Sequence, residues 1–485
     1  MGAHLLRLAG CGKTRGTRFL TASGSEMTKV KKSSDASKLM PLPNRFQTRV
    51  SPEPARPSSG YSVIGLLIAL LLAASMWWYV QNLLIPYQRA DAAAHGRPRG
   101  NLSDLYPRWL GSRELLLNHR DPYSPEVTRE IETGYYGRPL DPSRAEDPRD
   151  QQGFVYPVYV VFFLAPTVHL PFAVVQEGFR WLLVALTISS VPLWLAAVRW
   201  RPSSMTIVAM VALTIGSFPA AQGIKLQQLS LLVAALIAAC MASIESGRLV
   251  SAGVLLALAA IKPQLAAPLG GWLVLWGLGD WQQRKRLIWG FAVTLMTLVG
   301  AAQYVLPGWI SDFYNAVVAY RKYTAGAGSL LDTLITPGWG KVLSVMIVVS
   351  LACICWRLRH ENANSFAFAL VSSLVLAATV VIVPMVAPYN QALLLPGILL
   401  LVREGARIWS KNRLARLSCL AAAFLVLWPW AATVSLALAS IALPMASLQR
   451  AWAVPLYTSL GIPLGILGLL CFLVRDLFES RERFS

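Results

Sequence analysis

The first residue that suggests chemistry is a carboxylate, Asp104, in the segment from Ser103 to Trp109. This segment predicts an amphipathic helix that Ser103 caps and that lays apolar side chains on a membrane: Leu105, Trp109, Leu116 and Leu117. Asp104 would then lie at the boundary between water and lipid. An acid there can act as a general base that deprotonates an attacking hydroxyl. The alternative is a first-turn acid that complements the helix dipole.

A lysine and several side-chain amides form a second candidate group. Lys262, Pro263 and Gln264 interrupt the long apolar run 249–278, and Gln227 and Gln228 precede another run. Because a lysine at membrane depth is costly, a partner or a ligand is expected for Lys262. The alternative is that its ammonium group reaches the interface from the end of a short span.

Neither the cysteines nor the basic charge indicates a cofactor or a nucleic-acid partner. Of the six cysteines, Cys11 lies in the polar N-terminal segment and the others lie in or beside apolar runs. Cys353 and Cys355 are two positions apart, about 200° around a helix, so they cannot bind one metal ion together. The formal net charge of +20 fits membrane topology and attraction to lipid. We therefore expect no metal, no other cofactor and no nucleic acid.

Long helices in a bilayer must position these residues. The 485 residues are 55% hydrophobic and 14% charged, with a mean hydropathy of +0.50, which excludes a soluble protein of this size. Apolar runs of about 18 to 22 residues recur, and each can cross about 30 Å of hydrocarbon. The pattern predicts an all-α polytopic membrane protein with about 11 to 13 transmembrane helices.

Hydropathy and charge divide the chain into alternating segments, with both termini cytoplasmic. Met27 is an alternative start to Met1. The run 154–173 either crosses or re-enters the membrane, because Arg199 and Arg201 favour the cytoplasmic side. The predicted segments are a disordered basic tail at 1–60, a first transmembrane helix at 61–85, a large outer loop at 86–153, an N-terminal membrane module at 154–306, an outer loop at 307–340, a C-terminal membrane module at 341–474 and a cytoplasmic tail at 475–485.

A series of short motifs follows along the chain: Asp104-Leu105-Tyr106, Arg113, Asp121-Pro122-Tyr123, Phe154-Val155-Tyr156-Pro157, Gln228-Leu229-Ser230, Lys262-Pro263-Gln264 and Pro388-Tyr389-Asn390-Gln391. Taken in this order, the motifs resemble glycosyltransferase family 87, a branch of the glycosyltransferase-C superfamily that includes mannosyltransferases. The sequence departs from the family where Gln227 replaces the usual small residue and where Val158 follows Tyr156-Pro157.

The resemblance implies a glycosyltransferase-C-like bundle in the plasma membrane with its active site on the outer face. It implies a polyprenyl-phosphate sugar donor, a hexose with mannose favoured, inversion at the anomeric carbon, and a glycolipid or glycan acceptor. Asp104 matches the catalytic acid of the first outer loop. Arg108, Arg113 and Lys262 are candidates to hold the donor phosphate, whereas Arg321 and Lys322 are expected to be surface charges. The expected substrate-binding residues are Lys262, Gln264, Gln228, Arg108, Arg113, Tyr106, Tyr123, Tyr156 and Tyr389.

Other classes of membrane protein remain open at this stage. A transporter or flippase of a lipid-linked glycan would also contain broken helices, but would more naturally carry charges near mid-membrane in paired halves, and only Lys262 is such a charge. A glycan ligase or acyltransferase would depend on an outer histidine or arginine, and His119 and His169 are available. A structural membrane subunit is the remaining alternative.

Overall fold

The computed structural model describes residues 59–96, 103–141, 143–145, 147, 152–323, 328–384 and 386–482. Every regular element in these ranges is a helix. The tail predicted over residues 1–60 lies outside them, except for the two residues that begin the first helix.

The first part of the chain forms twelve α-helices, α1 to α12, with a π-helical link at Val80–Leu84 and 3₁₀ turns at Val158–Val160 and Ala165–Thr167. The α-helices are Ser59–Tyr79, Ile85–Ala94, Tyr106–Asn118, Pro125–Tyr136, Val161–Leu164, Phe172–Ala197, Ser204–Ile215, Phe218–Lys225, Leu229–Glu245, Leu249–Ala259, Pro263–Gly279 and Trp281–Val305.

The rest of the chain forms helices α13 to α21, with 3₁₀ turns at Pro388–Leu394 and Val454–Leu456. These helices are Trp309–Tyr323, Leu330–Leu334, Pro337–Leu358, Phe366–Ile382, Leu395–Arg403, Gly405–Trp409, Arg413–Ala439, Met445–Gln449 and Gly461–Glu482.

The prediction of an all-α polytopic membrane protein is confirmed. Six helical stretches of the described residues are long and apolar enough to cross a membrane, or seven if α7 and α8, bent by 56°, form one broken span. This number is below the predicted 11 to 13, because several apolar runs fold as shorter pieces. The run 249–278, for example, breaks at Ala260–Lys262 into α10 and α11.

The run 154–173 contains only a short apolar helix. Its helical part, Val158–Thr167, spans ten residues. At about 1.5 to 2 Å per residue it is much shorter than the roughly 30 Å of hydrocarbon. This length favours re-entry over a crossing, and re-entry removes the conflict with Arg199 and Arg201.

Helix α16 forms the centre of the bundle, because every side chain from Ala367 to Val381 is buried. A helix that is apolar on all sides belongs inside a bundle and not against lipid.

Helices α10 and α12 cross at two glycines. A Cβ atom on Gly253 would lie 2.2 Å from the carbonyl oxygen of Leu287, and one on Gly290 would lie 2.6 Å from that of Val250. The two helix backbones are in contact at these positions because glycine has no side chain.

Helix α3 differs from its prediction in two ways. It begins at Tyr106, and no side chain caps its N-terminus, so the predicted cap by Ser103 is wrong. Leu105 and Trp109 are buried in the protein core and do not lie on lipid. The turn 103–105 is instead tied inward, since the backbone N–H of Asp104 donates to the carbonyl oxygen of Leu226 at 2.8 Å.

Candidate functional site

The carboxylate of Asp104 is bound by side chains from two other parts of the chain. Its Oδ1 accepts a hydrogen bond from the Tyr135 hydroxyl at 3.1 Å, and its Oδ2 accepts one from the Gln228 amide. Neither bond comes from the N-terminus of α3, which begins two residues later. This geometry does not fit the alternative of an acid that serves only its own helix, because the carboxylate is positioned by α4 and by the start of α9.

A chain of hydrogen bonds leads from Asp104 into the membrane bundle. The ammonium of Lys262 donates to Gln228 Oε1 at 3.0 Å and to Ser230 Oγ at 2.6 Å. The Ser230 hydroxyl donates in turn to Asn390 Oδ1 at 2.9 Å. The orientation of Gln228 is forced, because a carboxylate only accepts and an ammonium only donates. We call these five residues the Asp104 network.

Lys262 reaches this network from the break between α10 and α11. It adopts a non-helical conformation, φ −121° and ψ 78°, just before the proline that opens α11. Its side chain is 7% exposed, so it does not reach the interface as the alternative proposed. The ammonium lies 5.2 Å from the ring centroid of Tyr389 and 5.9 Å from that of Tyr156, distances typical of cation–π contacts.

Tyr156 connects Lys262 with helix α3 and with the turn before α4. The guanidinium of Arg108 lies 4.6 Å from the Tyr156 ring centroid and also donates to the backbone oxygen of Asp104 at 2.7 Å. The Tyr123 hydroxyl donates to the backbone oxygen of Tyr156 at 2.6 Å. Of the predicted site residues, the structure therefore brings together Asp104, Gln228, Lys262, Arg108, Tyr156, Tyr389 and, through the backbone, Tyr123.

Three predicted binding residues lie outside this group. Gln264 is exposed on the first turn of α11. The guanidinium of Arg113 lies 5.5 Å from the Trp109 ring. Tyr106 packs edge-on against Phe172, with a centroid distance of 4.9 Å. Arg321 and Lys322 are exposed, as expected for surface charges.

Gln227, where the sequence departs from the family pattern, has a structural role. It adopts a left-handed conformation with φ 49° and is fully buried. Its side-chain amide donates to the backbone oxygens of Ile224 and Lys225, each at 2.8 Å, and accepts from Gln176 at 3.2 Å. These bonds stabilise a backbone conformation that favours glycine. The turn that orients Gln228 is thus held without a small residue.

The sequence analysis missed four residues near Asp104. Ser230 and Asn390 are in recognised motifs, but a hydroxyl and an amide carry no distinctive spacing. Tyr135 belongs to none of the recognised motifs. Lys225 is a charge at the end of an apolar run, the same signal that identified Lys262. It is 9% exposed, it donates to the amide of Gln88, and it lies within electrostatic reach of Asp104.

The turn before α4 contains a carboxylate with a perturbed pKa. Burial raises the pKa of Asp121, and a hydrogen bond from the Tyr123 backbone N–H at 2.9 Å opposes that rise. This bond forms a turn that leads to Ser124, whose hydroxyl caps α4. Asp121 thus stabilises the backbone of this turn. Among the described residues, no group of three or more His, Cys, Asp or Glu side chains could hold a metal ion.

These features define an all-α, multi-pass membrane protein with a carboxylate linked to a buried lysine through a side-chain amide. The family model of glycosyltransferase family 87 matches residues 154–384. The matched family is the one that the motifs resemble, and it is a family of glycosyltransferases. The matched range contains Gln228, Ser230 and Lys262, whereas Asp104 and Asn390 lie on either side of it. No curated protein matches the chain.

Proposed function

We propose that the protein transfers a hexose, with mannose favoured, from a polyprenyl-phosphate donor to a glycolipid or glycan acceptor. The reaction takes place on the outer face of the plasma membrane, with both termini in the cytoplasm. Nucleotide sugars are absent outside the cell, so a lipid-borne donor suits that location. Asp104 is the general base. Metal assistance is not required, because polyprenyl phosphate is already a good leaving group.

The observation that supports this proposal is the hydrogen bonding of Asp104. A base must stay ionised and correctly aimed before substrate arrives. Tyr135 and Gln228 hold its two oxygens in place, and Gln228 is in turn held by the buried cation Lys262. The carboxylate thus lies where an outer-loop turn meets the membrane helices, so that a lipid-borne donor and an outer acceptor can both reach it.

The proposed reaction is a single displacement. The acceptor oxygen attacks the anomeric carbon, its proton passes to Asp104, and the bond between that carbon and the phosphate oxygen breaks. The departing oxygen keeps the electron pair, so polyprenyl phosphate leaves with one more negative charge. Attack from the face opposite the phosphate inverts the configuration, which needs one base and not a second, nucleophilic carboxylate.

Transport of a lipid-linked glycan is the alternative function. Lys225 is a second buried lysine beside Lys262, and paired charges would suit a transporter. Both lysines, however, adjoin the same carboxylate: Lys262 through Gln228 and Lys225 through its electrostatic interaction with Asp104. This arrangement supports one reaction centre and not two equivalent half-sites.

Reconstitution in liposomes distinguishes these functions. The purified protein is supplied with polyprenyl-phosphate mannose and a membrane lipid extract, and both the glycosylated product and the released polyprenyl phosphate are measured. Enzymatic transfer predicts equal amounts of the two. Movement of intact donor between leaflets without product formation would favour transport and overturn the proposal.

A further inference from the structure

A cavity of about 640 Å³ lies on the side of Asp104 that faces α1, α2 and α6. Three cations line it: Arg89, Arg180 and Lys225. None of the described residues in its wall carries a carboxylate. We call this space the cationic cavity. Because like charges repel, such a cluster is stable when an anion joins it.

Neither Lys225 nor Arg89 forms an ion pair within the described parts of the chain. Lys225 donates to the neutral amide of Gln88 and interacts with Asp104 only through longer-range electrostatics. Arg180 pairs with Glu177 at 2.5 Å on the more exposed side. A buried ammonium bound only to an amide retains donors for a ligand.

An unpartnered hydroxyl in the cavity wall points to the same kind of ligand. Ser103 is 5% exposed, lines the cavity, and its Oγ makes no hydrogen bond within the structure. Buried hydroxyls normally have a partner, since an unsatisfied one loses its hydrogen bonds to water without replacement. This hydroxyl, which does not cap α3, is therefore available to an anionic oxygen.

The cavity is also next to the proposed base. Tyr135 lies in its wall, and its hydroxyl donates to Asp104 Oδ1 at 3.1 Å. Ser103 is the residue before Asp104. A phosphate bound in the cavity would therefore place the attached sugar close to the carboxylate.

The surroundings of the cavity favour a lipid over a free ion. Trp77 and Phe172 contribute apolar wall. The two flanking helices expose large apolar side chains, including Leu71 of α1 at 62% and Trp181 of α6 at 63%. Exposed apolar faces of this kind contact lipid tails in a membrane protein. A prenyl chain can thus remain in the bilayer while its phosphate enters the cavity.

We propose that the cationic cavity binds the phosphate of the lipid-linked donor through Lys225, Arg89 and Ser103, and that Lys262 positions Asp104 instead. This inference rests on the proposed function and deepens it. Lys262 already donates to Gln228 and Ser230 and faces two aromatic rings. The cavity cations act most strongly when the phosphate gains its second charge as the glycosidic bond breaks.

Binding of radiolabelled polyprenyl phosphate, which carries no sugar, tests the assignment. The full chain in nanodiscs is compared with Lys225→Met, Arg89→Gln and Ser103→Ala. Lys285→Met, at an exposed position on α12, is the matched control for loss of a lysine charge. We expect affinity to fall at least about tenfold in Lys225→Met, severalfold in the other two variants, and not in the control. Arg89 is exposed, so its variant is informative even if Lys225→Met fails to fold.

Competitors distinguish the possible sources of phosphate. We expect unlabelled polyprenyl phosphate to displace the probe, and inorganic phosphate, phosphatidylglycerol and neutral polyprenol to displace it poorly. Equal displacement by inorganic phosphate or phosphatidylglycerol would overturn the assignment to the donor lipid. Unchanged affinity in both Lys225→Met and Arg89→Gln would overturn the assignment of the cavity.

Sugar transfer by the same variants distinguishes two outcomes: a wrong assignment of the phosphate site to the cationic cavity, and a wrong assignment of the glycosyltransferase function. If the wild type binds polyprenyl phosphate in a Lys225-dependent way but transfers no sugar, the cavity assignment stands and the proposed function fails. If the wild type transfers sugar and the Lys225 and Arg89 variants do so with an unchanged KM for the donor, the function stands and the cavity assignment fails.

Discussion

The ammonium of Lys262 and the carboxylate of Asp104 bind opposite ends of one side-chain amide, that of Gln228. The two charged groups come from a helix break in the membrane bundle and from the turn 103–105 that precedes α3. Because the amide donates at one end and accepts at the other, it fixes the distance between the charges. The position of the proposed base therefore depends on a membrane helix far away in sequence.

Replacing Gln228 with leucine should lower sugar transfer by about 10- to 100-fold, because Asp104 loses a donor and Lys262 loses an acceptor. The rate is measured with saturating lipid-linked donor in liposomes. Gln264→Leu is the matched control, since this amide is exposed and lies outside the Asp104 network. Equal transfer rates for the two variants would show that the Gln228 amide has no role in sugar transfer.

Ser103→Ala should not lower the free energy of unfolding and should raise it slightly, because the change removes a buried hydroxyl that has no partner within the protein. Ser124 provides the contrast: its hydroxyl accepts from the Val127 N–H at 3.3 Å and caps α4, so Ser124→Ala should cost about 1 kcal/mol. Chemical unfolding of both variants in detergent compares them. If Ser103→Ala loses as much stability as Ser124→Ala, then Ser103 caps α3 after all.

The crossing of α10 and α12 should not tolerate one added methyl group. In Gly253→Ala the new Cβ would lie 2.2 Å from a backbone oxygen of α12, and the helices must separate, at a cost of about 1–3 kcal/mol. Gly300→Ala, in the same pair of helices, meets nothing within 4 Å and should gain up to about 1 kcal/mol from helix propensity. Thermal unfolding of the two variants should shift in opposite directions, and equal shifts would contradict the close crossing.

The stability contributions of two aspartates, Asp121 between α3 and α4 and Asp141 after α4, should respond oppositely to pH. Burial raises the pKa of Asp121, so its carboxylate weakens the fold once the pH exceeds the unfolded-state pKa. Asp121→Asn should therefore be the more stable form at pH 7, and its advantage should shrink as the pH falls towards 4. Hydrogen bonds from Ser143 lower the pKa of Asp141. Asp141→Asn should be less stable than wild type at pH 7, with a deficit that disappears in acid.

Unfolding curves between pH 3 and pH 7 measure both effects on the full chain. At neutral pH we expect the free energy of unfolding to be higher than that of the wild type in Asp121→Asn and lower in Asp141→Asn. The same sign for both would contradict the assigned causes of the two pKa shifts.

Much of the site could be predicted from the sequence, because each motif is a short contiguous run of residues. Asp104, Gln228, Lys262, Tyr156 and Tyr389 each belong to a short recognisable pattern, and the structure brings them together. The broken helix at Lys262 was also predictable, since proline and a charge interrupt an apolar run. What the motifs do not encode is which members touch, because that depends on how the helices pack.

Other features could not be obtained from local patterns. Ser103 has the residue type of a helix cap, yet the turn 103–105 is drawn inward by the bond from the Asp104 N–H to Leu226, and α3 begins later. Leu105 and Trp109 look suited to lipid, but tertiary packing buries them. The predicted 11 to 13 spans exceed the six or seven stretches of the described residues that are long and apolar enough to cross, because a hydropathy pattern does not show where an apolar run breaks into shorter helices.

The most direct test of the account is sugar transfer from polyprenyl-phosphate mannose by Asp104→Asn, an isosteric change that removes the base. Transfer should fall by at least about 10²-fold, with folding and polyprenyl phosphate binding retained. Asp280→Asn is the matched control, because asparagine caps α12 as well as aspartate does, and this variant should keep wild-type activity. Wild-type activity in Asp104→Asn would contradict the central claim that this carboxylate is the base.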